Sequence, residues 1–386
     1  MVRSSILGNL HFTERERVIL ARIRNEGPIA RVRIAKKENI SKPVVTLGVR
    51  KLLSIGAVRE VGKDVKRSSK GGKHATLLGF VADFRLTLAV DIGRTKIVAA
   101  MIDLDGNIGA SQTVSLRENM SKEEFMSLLF EAIEGVIEVV PKEKIIGIGV
   151  GIPGVIGSNN GVADFIPVLS LRNVPIKSWI EEQFGIETFC ENDAALQALS
   201  ESWKGVAEGK KNVVVINLGA GIGSGVIIDG RLYTGSTGRA GELGYLISNW
   251  DNTYYRESFF GELEEKMSGV CLERKLDEFG YHGFTATDLF ERDIDDERLR
   301  DLIYQGCKSL ALALCNLISI LNPDIVVMTG GIGYNQFELL TKYTIPLIKN
   351  ILPNEFVGSV DFARSKFPSE GVLIGAGYLV QKKTFL

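Results

Sequence analysis

The chain has 386 residues, 45% hydrophobic and 24% charged, a globular composition that excludes a disordered chain and suggests two or three domains. Its net charge of −1 conceals an asymmetry: residues 1–82 hold 18 Lys and Arg against 6 Asp and Glu, a net +12, and the rest holds 28 against 41, a net −13. A basic head on an acidic body points to two functions in one chain, the head carrying the charge of a polyanion binder, with nucleic acid the obvious candidate.

The first residues, MVRSSILGNLHF, have too short an apolar core for a secretory signal, and no apolar stretch reads as a membrane span. Cys190, Cys271, Cys307 and Cys315 are well separated and form no CxxC pair. That argues against a disulfide framework and a Cys-rich zinc site, and fits a reducing cytoplasm.

In the head, Thr13-Glu14-Arg15-Glu16 is a capping box followed by Ile19, Leu20 and Ile23 at helical spacing. Gly27-Pro28 ends that helix. A second helix fits Arg31–Glu38, with Asn39 as a left-handed stop. Ser41 is placed to cap a third helix, with Pro43 in its first turn. On that helix Val45, Val49, Leu52 and Leu53 share an apolar face, while Lys42, Thr46 and Arg50 line another. An apolar back with a cationic front suits a helix lying in a DNA major groove. Strands over 57–61 and 75–80 flank a loop, 62–73, that includes Lys66 and Arg67 and reads as a phosphate-touching wing. The segment resembles the winged helix-turn-helix domain in front of many bacterial sugar-responsive repressors.

From Arg85 the pattern becomes α/β. Residues 85–108 read as strand, turn, strand, tight turn at Asp105-Gly106, strand. A helix capped by Ser121 and Glu124 runs to about Val140, and a buried strand covers 145–150, ending in Gly151-Ile152-Pro153-Gly154. A strand over 212–218 precedes the glycine loop GAGIGSG (219–225). A helix over 306–321 leads into a strand over 324–329 and Gly330-Gly331, and a helix from near Gly371 closes the chain. The glycine loop lacks the G-x-G-x-x-G spacing of a dinucleotide fold, and no GxxxxGK[ST] is present. Two strand-turn-strand glycine elements in tandem fit another plan, in which each lobe offers a turn to phosphates across a cleft.

DIGRTK (91–96), ENDAALQALSE (191–201), the segment 219–246 and NPDIVVMTGG (322–331) occur in the order that resembles the ROK family of bacterial sugar kinases and sugar-responsive repressors. The resemblance covers residues 86–386. It implies an α/β, two-lobed, RNase H-like body of the actin and hexokinase type behind a winged helix-turn-helix over 1–82. One lobe would span 83–205, completed by the C-terminal helix 371–386, and the other 206–370. Asp193 would be the base position, ionised with help from a helix N-terminus. Asn192, Asp193, Glu242, Glu264 and Gly154 would face the sugar, with Glu262 and Glu265 as alternatives to Glu264. Asp91, Gly93, Thr95, Lys96, Gly219, Gly221, Gly223, Gly330 and Gly331 would lie on the phosphate side.

The chain departs from the kinase pattern at several points. Tyr245 stands where the kinases have a histidine that touches sugar and ligates zinc, and the zinc cysteines are missing from 254–262, so no zinc is expected. Arg94 replaces a glycine of the first phosphate turn, Ala220 a threonine of the second, and Val168 an asparagine near the sugar. The repressor branch follows: a double-stranded DNA operator and a monosaccharide or sugar-derivative effector as partners, a homodimer or tetramer, a cytoplasmic protein without a membrane partner and without a required cofactor. The alternative is an ATP-dependent hexose or N-acetylhexosamine kinase, which would need Mg-ATP.

Overall fold

The computed structural model describes residues 12–64, 74–117, 120–157, 161–166, 169–247, 261–292 and 295–384. The wing residues Lys66 and Arg67, Val168, and most of the stretch that replaces the zinc loop lie outside them.

The head is built from α1 (Glu14–Glu26), β1 (Ile29–Ala30), α2 (Arg31–Lys37), α3 (Lys42–Ser54), β2 (Val58–Lys63) and β3 (Thr76–Phe80). The capping box is present in both directions: Glu16 N–H donates to the Thr13 hydroxyl at 3.3 Å, and Thr13 N–H donates to the Glu16 carboxylate at 2.8 Å. Asn39 is left-handed, with φ of 52°. Ser41 stands at the N-cap of α3, but its hydroxyl makes no cap bond, contrary to the expectation from its position. Val45, Val49 and Leu52 are buried against Ile19, Ile23 and Ile34, leaving Lys42, Thr46 and Arg50 exposed. Ile29 and Ala30 form a strand the sequence did not announce, pairing with Leu78 and Leu77 and giving the order β1-β3-β2. Two residues are too few to show an alternation.

Two five-stranded sheets follow one plan. In the first, β4 (Leu86–Ile92), β5 (Lys96–Asp103) and β6 (Ile108–Ser115) form an antiparallel meander. After α4 (Lys122–Ile137), β7 (Ile145–Ile152) joins beside β4 in parallel. A small sheet of β8 (Val155–Ile156), β9 (Ala163–Ile166) and β10 (Leu171–Val174) intervenes. Then come α5 (Ile176–Phe184), β11 (Thr188–Asn192), parallel to β7, and α6 (Asp193–Lys204).

In the second sheet, β12 (Val213–Leu218), β13 (Ile222–Ile228) and β14 (Arg231–Leu232) are the meander. Helices α7 (Glu262–Met267), α8 (Gly269–Glu278), α9 (Ala286–Glu291) and α10 (Glu297–Leu321) lead to β15 (Ile325–Thr329), parallel to β12. Past α11 (Gly330–Asn335), α12 (Phe337–Ile351) and α13 (Asn354–Val357), β16 (Asp361–Arg364) lies parallel to β15, and α14 (Gly371–Thr384) ends the described chain. The orders are β11-β7-β4-β5-β6 and β14-β13-β12-β15-β16.

Helices α6 and α14 fill the space between the sheets. Leu196 and Leu199 of α6 and Leu373 and Ala376 of α14 share one core with Ala89 and Ala100 of the first sheet and Val213 and Val215 of the second. The contact is backbone to backbone: a Cβ on Gly375 would lie 1.9 Å from the Leu196 carbonyl oxygen, and one on Gly225 would lie 2.3 Å from that of Ala194. Contrary to the sequence reading, one helix among the described residues, α10, is long and apolar enough to cross a membrane by length and composition. Its Leu310, Leu314 and Ile318 are fully buried against Val214, Ile216 and Val326 of the second sheet, the packing of a core helix.

Candidate functional site

The strand-to-helix junction at 192–193 organises the site. Asn192 caps α6: its Oδ1 accepts from the N–H groups of Ala194 at 2.9 Å and Ala195 at 3.2 Å, and its Nδ2 donates to the Gly154 carbonyl at 3.1 Å. The acceptor half of this side chain is therefore spent on the helix. Only one amide hydrogen is left for a ligand, fewer groups than the sequence suggested. Gly154 holds a φ of 129°, which keeps its carbonyl within reach of Asn192 and favours glycine there.

Asp193, the first residue of α6, accepts from the same Ala194 N–H at 2.9 Å. Burial pushes its carboxyl up to about 6, against the lowering effect of the helix amides. The helix terminus alone would have given a lower value, so desolvation wins here. Asp91, at the end of β4, is raised to about 7, by burial first and then by Asp193, while Lys96 opposes. Glu242 is raised to about 6 by burial and by the charges of Glu264 and Asp193, with Arg239 opposing. Glu264 is also raised by burial, although it accepts from Ile222 N–H at 2.9 Å and Gly261 N–H at 3.2 Å. It braces the second glycine loop and faces Glu242 at the same time. Four carboxyl groups are thus linked electrostatically, Asp91 with Asp193, and Glu242 with both Asp193 and Glu264, and carboxylates call for hydrogen-bond donors. A polyol supplies such donors, and its hydroxyls would relieve the repulsion.

This arrangement has a pH signature. Asp91 has an ordinary value of 3.8 and a folded value near 7. Between about pH 4 and 7 the unfolded chain sheds this proton and the folded chain keeps it, so the stability it contributes is lost as pH rises. Asp91→Asn should flatten that fall and melt several degrees above the unaltered protein at pH 8. Thermal unfolding from pH 5 to 8 checks it; a variant less stable at pH 8 would contradict the burial of this carboxyl.

The glycine turns are tight. Gly93 N–H donates to the Lys96 carbonyl at 2.9 Å, with Arg94, Thr95 and Lys96 exposed at the turn. Gly219 N–H donates to the Gly221 carbonyl at 3.0 Å, and the Gly219 carbonyl accepts from Gly269 N–H at 2.8 Å. A Cβ on Gly219 would lie 4.0 Å from Gly331 N, so the Gly219 and Gly330-Gly331 turns are neighbours. A Cβ on Gly223 would meet the Ala194 Cβ of α6 at 3.3 Å, so this part of the loop packs closely on α6.

Two features carried no sequence signal. Asp164 of β9 and Arg239 form an ion pair at 2.8 Å from one lobe to the other, joining residues 75 apart. A cavity of about 590 Å³ opens beside Glu242, with Ser224, Tyr233, Arg239, Tyr245 and Ile320 on its walls, a size suited to a small molecule. Among the described residues, no three His, Cys, Asp or Glu side chains are grouped to hold a metal ion.

The comparisons with known proteins agree with this architecture. The family model described as "ROK family" matches residues 87–383. A xylose repressor of Bacillus spizizenii is 31% identical over 349 residues, 88% of this chain and 87% of that one. A glucokinase of Thermotoga maritima is 28% identical over 313 residues, covering 77% of this chain and 97% of the kinase. A crystal structure of a ROK family transcriptional regulator, a homologue of the E. coli MLC protein, superposes with a TM-score of 0.76 at 21% identity, over 95% of both chains, and so shares the fold.

Proposed function

Because the chain belongs to the ROK family, we propose that it is a sugar-responsive transcriptional repressor: the head binds an operator as part of a homodimer in the cytoplasm, and a sugar in the interlobe cleft changes that binding. The observation that carries this reading is the head itself. It places an exposed Lys42, Thr46 and Arg50 on α3 of a domain with net charge +12, and the glucokinase relative aligns over only 77% of the chain while the xylose repressor aligns over 88%. Leu47, 70% exposed beside Thr46, adds an apolar contact of the kind that meets a thymine methyl.

The test is binding of the full chain to duplexes selected from a random library. Affinity should fall steeply with salt, with a slope of about −0.9 per phosphate contacted. Arg50→Ala should lower affinity for the selected site by roughly 1–3 kcal/mol while non-specific binding changes little. Lys66→Ala or Arg67→Ala should weaken all sequences alike. Binding that ignores salt, or none from the folded protein, defeats the reading.

No cofactor is required by this function. We expect the purified protein to hold no stoichiometric zinc, since Tyr245 occupies the histidine position and the cysteines are missing. Metal analysis checks it, together with a melting temperature that chelator leaves unchanged; one full equivalent of tightly held zinc would overturn it. The kinase reading keeps one specific support: Asp193, raised to about 6, lies in a range suited to a general base.

A further inference from the structure

Helix α6 meets the effector cleft at one end and the DNA-binding head at the other. Asn192 and Asp193 stand at its N-terminus, and Trp203 and Lys204 end it about 18 Å away at the usual rise per residue. At that far end the Trp203 ring stacks on Tyr378 of α14, with centroids 4.5 Å and planes 8° apart. The Asp105-Gly106 turn rests on the same ring; a Cβ on Gly106 would lie 2.9 Å from it. Over the ring, 5.7 Å from its centroid, lies the guanidinium of Arg24, a residue of the last turn of α1 in the head. Arg24 also donates to the Leu104 carbonyl and to Asp105 at 3.2 Å, and lies 5.6 Å from the Phe80 ring centroid. Its side chain is only 13% exposed. The head core itself includes Leu104, Ile146 and Val380 of the body.

Between its ends α6 has little slack. Gly375 and Gly225 bring α14 and β13 against its backbone. Glu201, fully buried, accepts from the Ser365 hydroxyl at 2.6 Å, Lys366 N–H at 3.0 Å, Phe367 N–H at 3.2 Å and Val206 N–H at 3.0 Å. Gln197 donates to Ser365 at 3.2 Å and to the Phe367 carbonyl at 2.9 Å. Residues 365–367 belong to the crossover from the second sheet into α14. A helix packed this closely does not compress along its axis, so a shift at one end becomes a shift at the other.

We propose that Trp203 and Arg24 are positioning residues of the ligand response: a displacement of α6 caused by a sugar at Asn192 and Asp193 reaches the head through the Trp203–Arg24 contact. This rests on the repressor reading above. Neither residue touches sugar or DNA in this account; they set how the head sits when the cleft is filled.

The test uses the full chain, a duplex it selects from a random library, and D-xylose, D-glucose and N-acetyl-D-glucosamine as separate probes. In the unaltered protein at least one probe should change duplex affinity by roughly 5–150-fold. In Arg24→Gln and in Trp203→Leu that factor should fall below about threefold, while duplex and sugar are each still bound at near-normal affinity. The effect of duplex on sugar affinity must collapse by the same factor, because coupling is reciprocal. Arg24→Lys, which keeps a cation near the Leu104 carbonyl, should retain part of the response. An undiminished factor in both variants overturns the proposal, and so does a loss traceable to sugar binding that has itself weakened more than about tenfold. If no probe alters duplex binding by the unaltered protein, the repressor reading fails first, and the two failures are distinct.

Discussion

Mixed with Mg-ATP and any sugar that raises its melting temperature, the protein should release ADP far more slowly than the roughly 1–100 per second of working kinases. Phosphoryl transfer is mostly positioning and charge stabilisation, so the phosphate turns decide the rate. Arg94 places a side chain at the tip of the first turn, where close backbone approach favours glycine. Ala220 leaves the second turn without a hydroxyl. Losing two such interactions, each worth on the order of 10²-fold or more, should lower the rate by about 10⁴-fold. Arg94→Gly together with Ala220→Thr should then raise ATP affinity. A coupled ADP assay checks both. Turnover near 1 per second that disappears in Asp193→Ala would promote the kinase reading, and no gain in ATP affinity would show that the steric argument is wrong.

Glu242→Ala should cost more effector affinity than any other single change in the cleft. Its carboxylate is placed among Glu264, Asp193 and the walls of the adjoining cavity. It can accept from two sugar hydroxyls, and hydrogen bonds to a charged group contribute about 1.5–3 kcal/mol each, so the loss should be on the order of 10²-fold or more. Asp193→Asn should lose less, because an amide still bonds a hydroxyl. Both carboxyls have values near 6. The accepting form is the ionised one, so affinity should fall as pH drops through 6 and level off above about 7. Calorimetry at pH 5.5 and 7.5 reads this directly. Glu242→Ala binding sugar as well as the unaltered chain would remove it from the site.

Periodic and punctuated segments were legible in the sequence. The capping boxes at Thr13 and Ser121 both formed as read, and Asn39 adopted the left-handed stop. The exposed front of α3 followed from spacing alone. Elements that depend on distant partners were not legible. The two residues of β1 gain their identity from β3, and the Asp164–Arg239 pair joins two lobes. The roles within Asn192-Asp193 were divided by geometry: the cap fell to Asn192, and burial set the ionisation of Asp193 where the helix terminus alone would have lowered it. The burial of Glu201 depends on the crossover at 365–367, whose Ser365 hydroxyl and Lys366 and Phe367 N–H groups it accepts from. The packing of Gly223 on Ala194 of α6 had no signal in the glycine run itself, because it depends on a helix distant in sequence.

The measurement closest to the central claim is fluorescence anisotropy of a selected operator duplex with the full chain, titrated with D-xylose, D-glucose and N-acetyl-D-glucosamine in turn. At least one sugar should shift the duplex Kd by roughly 5–150-fold, and Glu242→Ala should abolish the shift while leaving sugar-free duplex binding intact. A duplex affinity that none of the sugars moves, or a shift that survives Glu242→Ala unchanged, would contradict that claim.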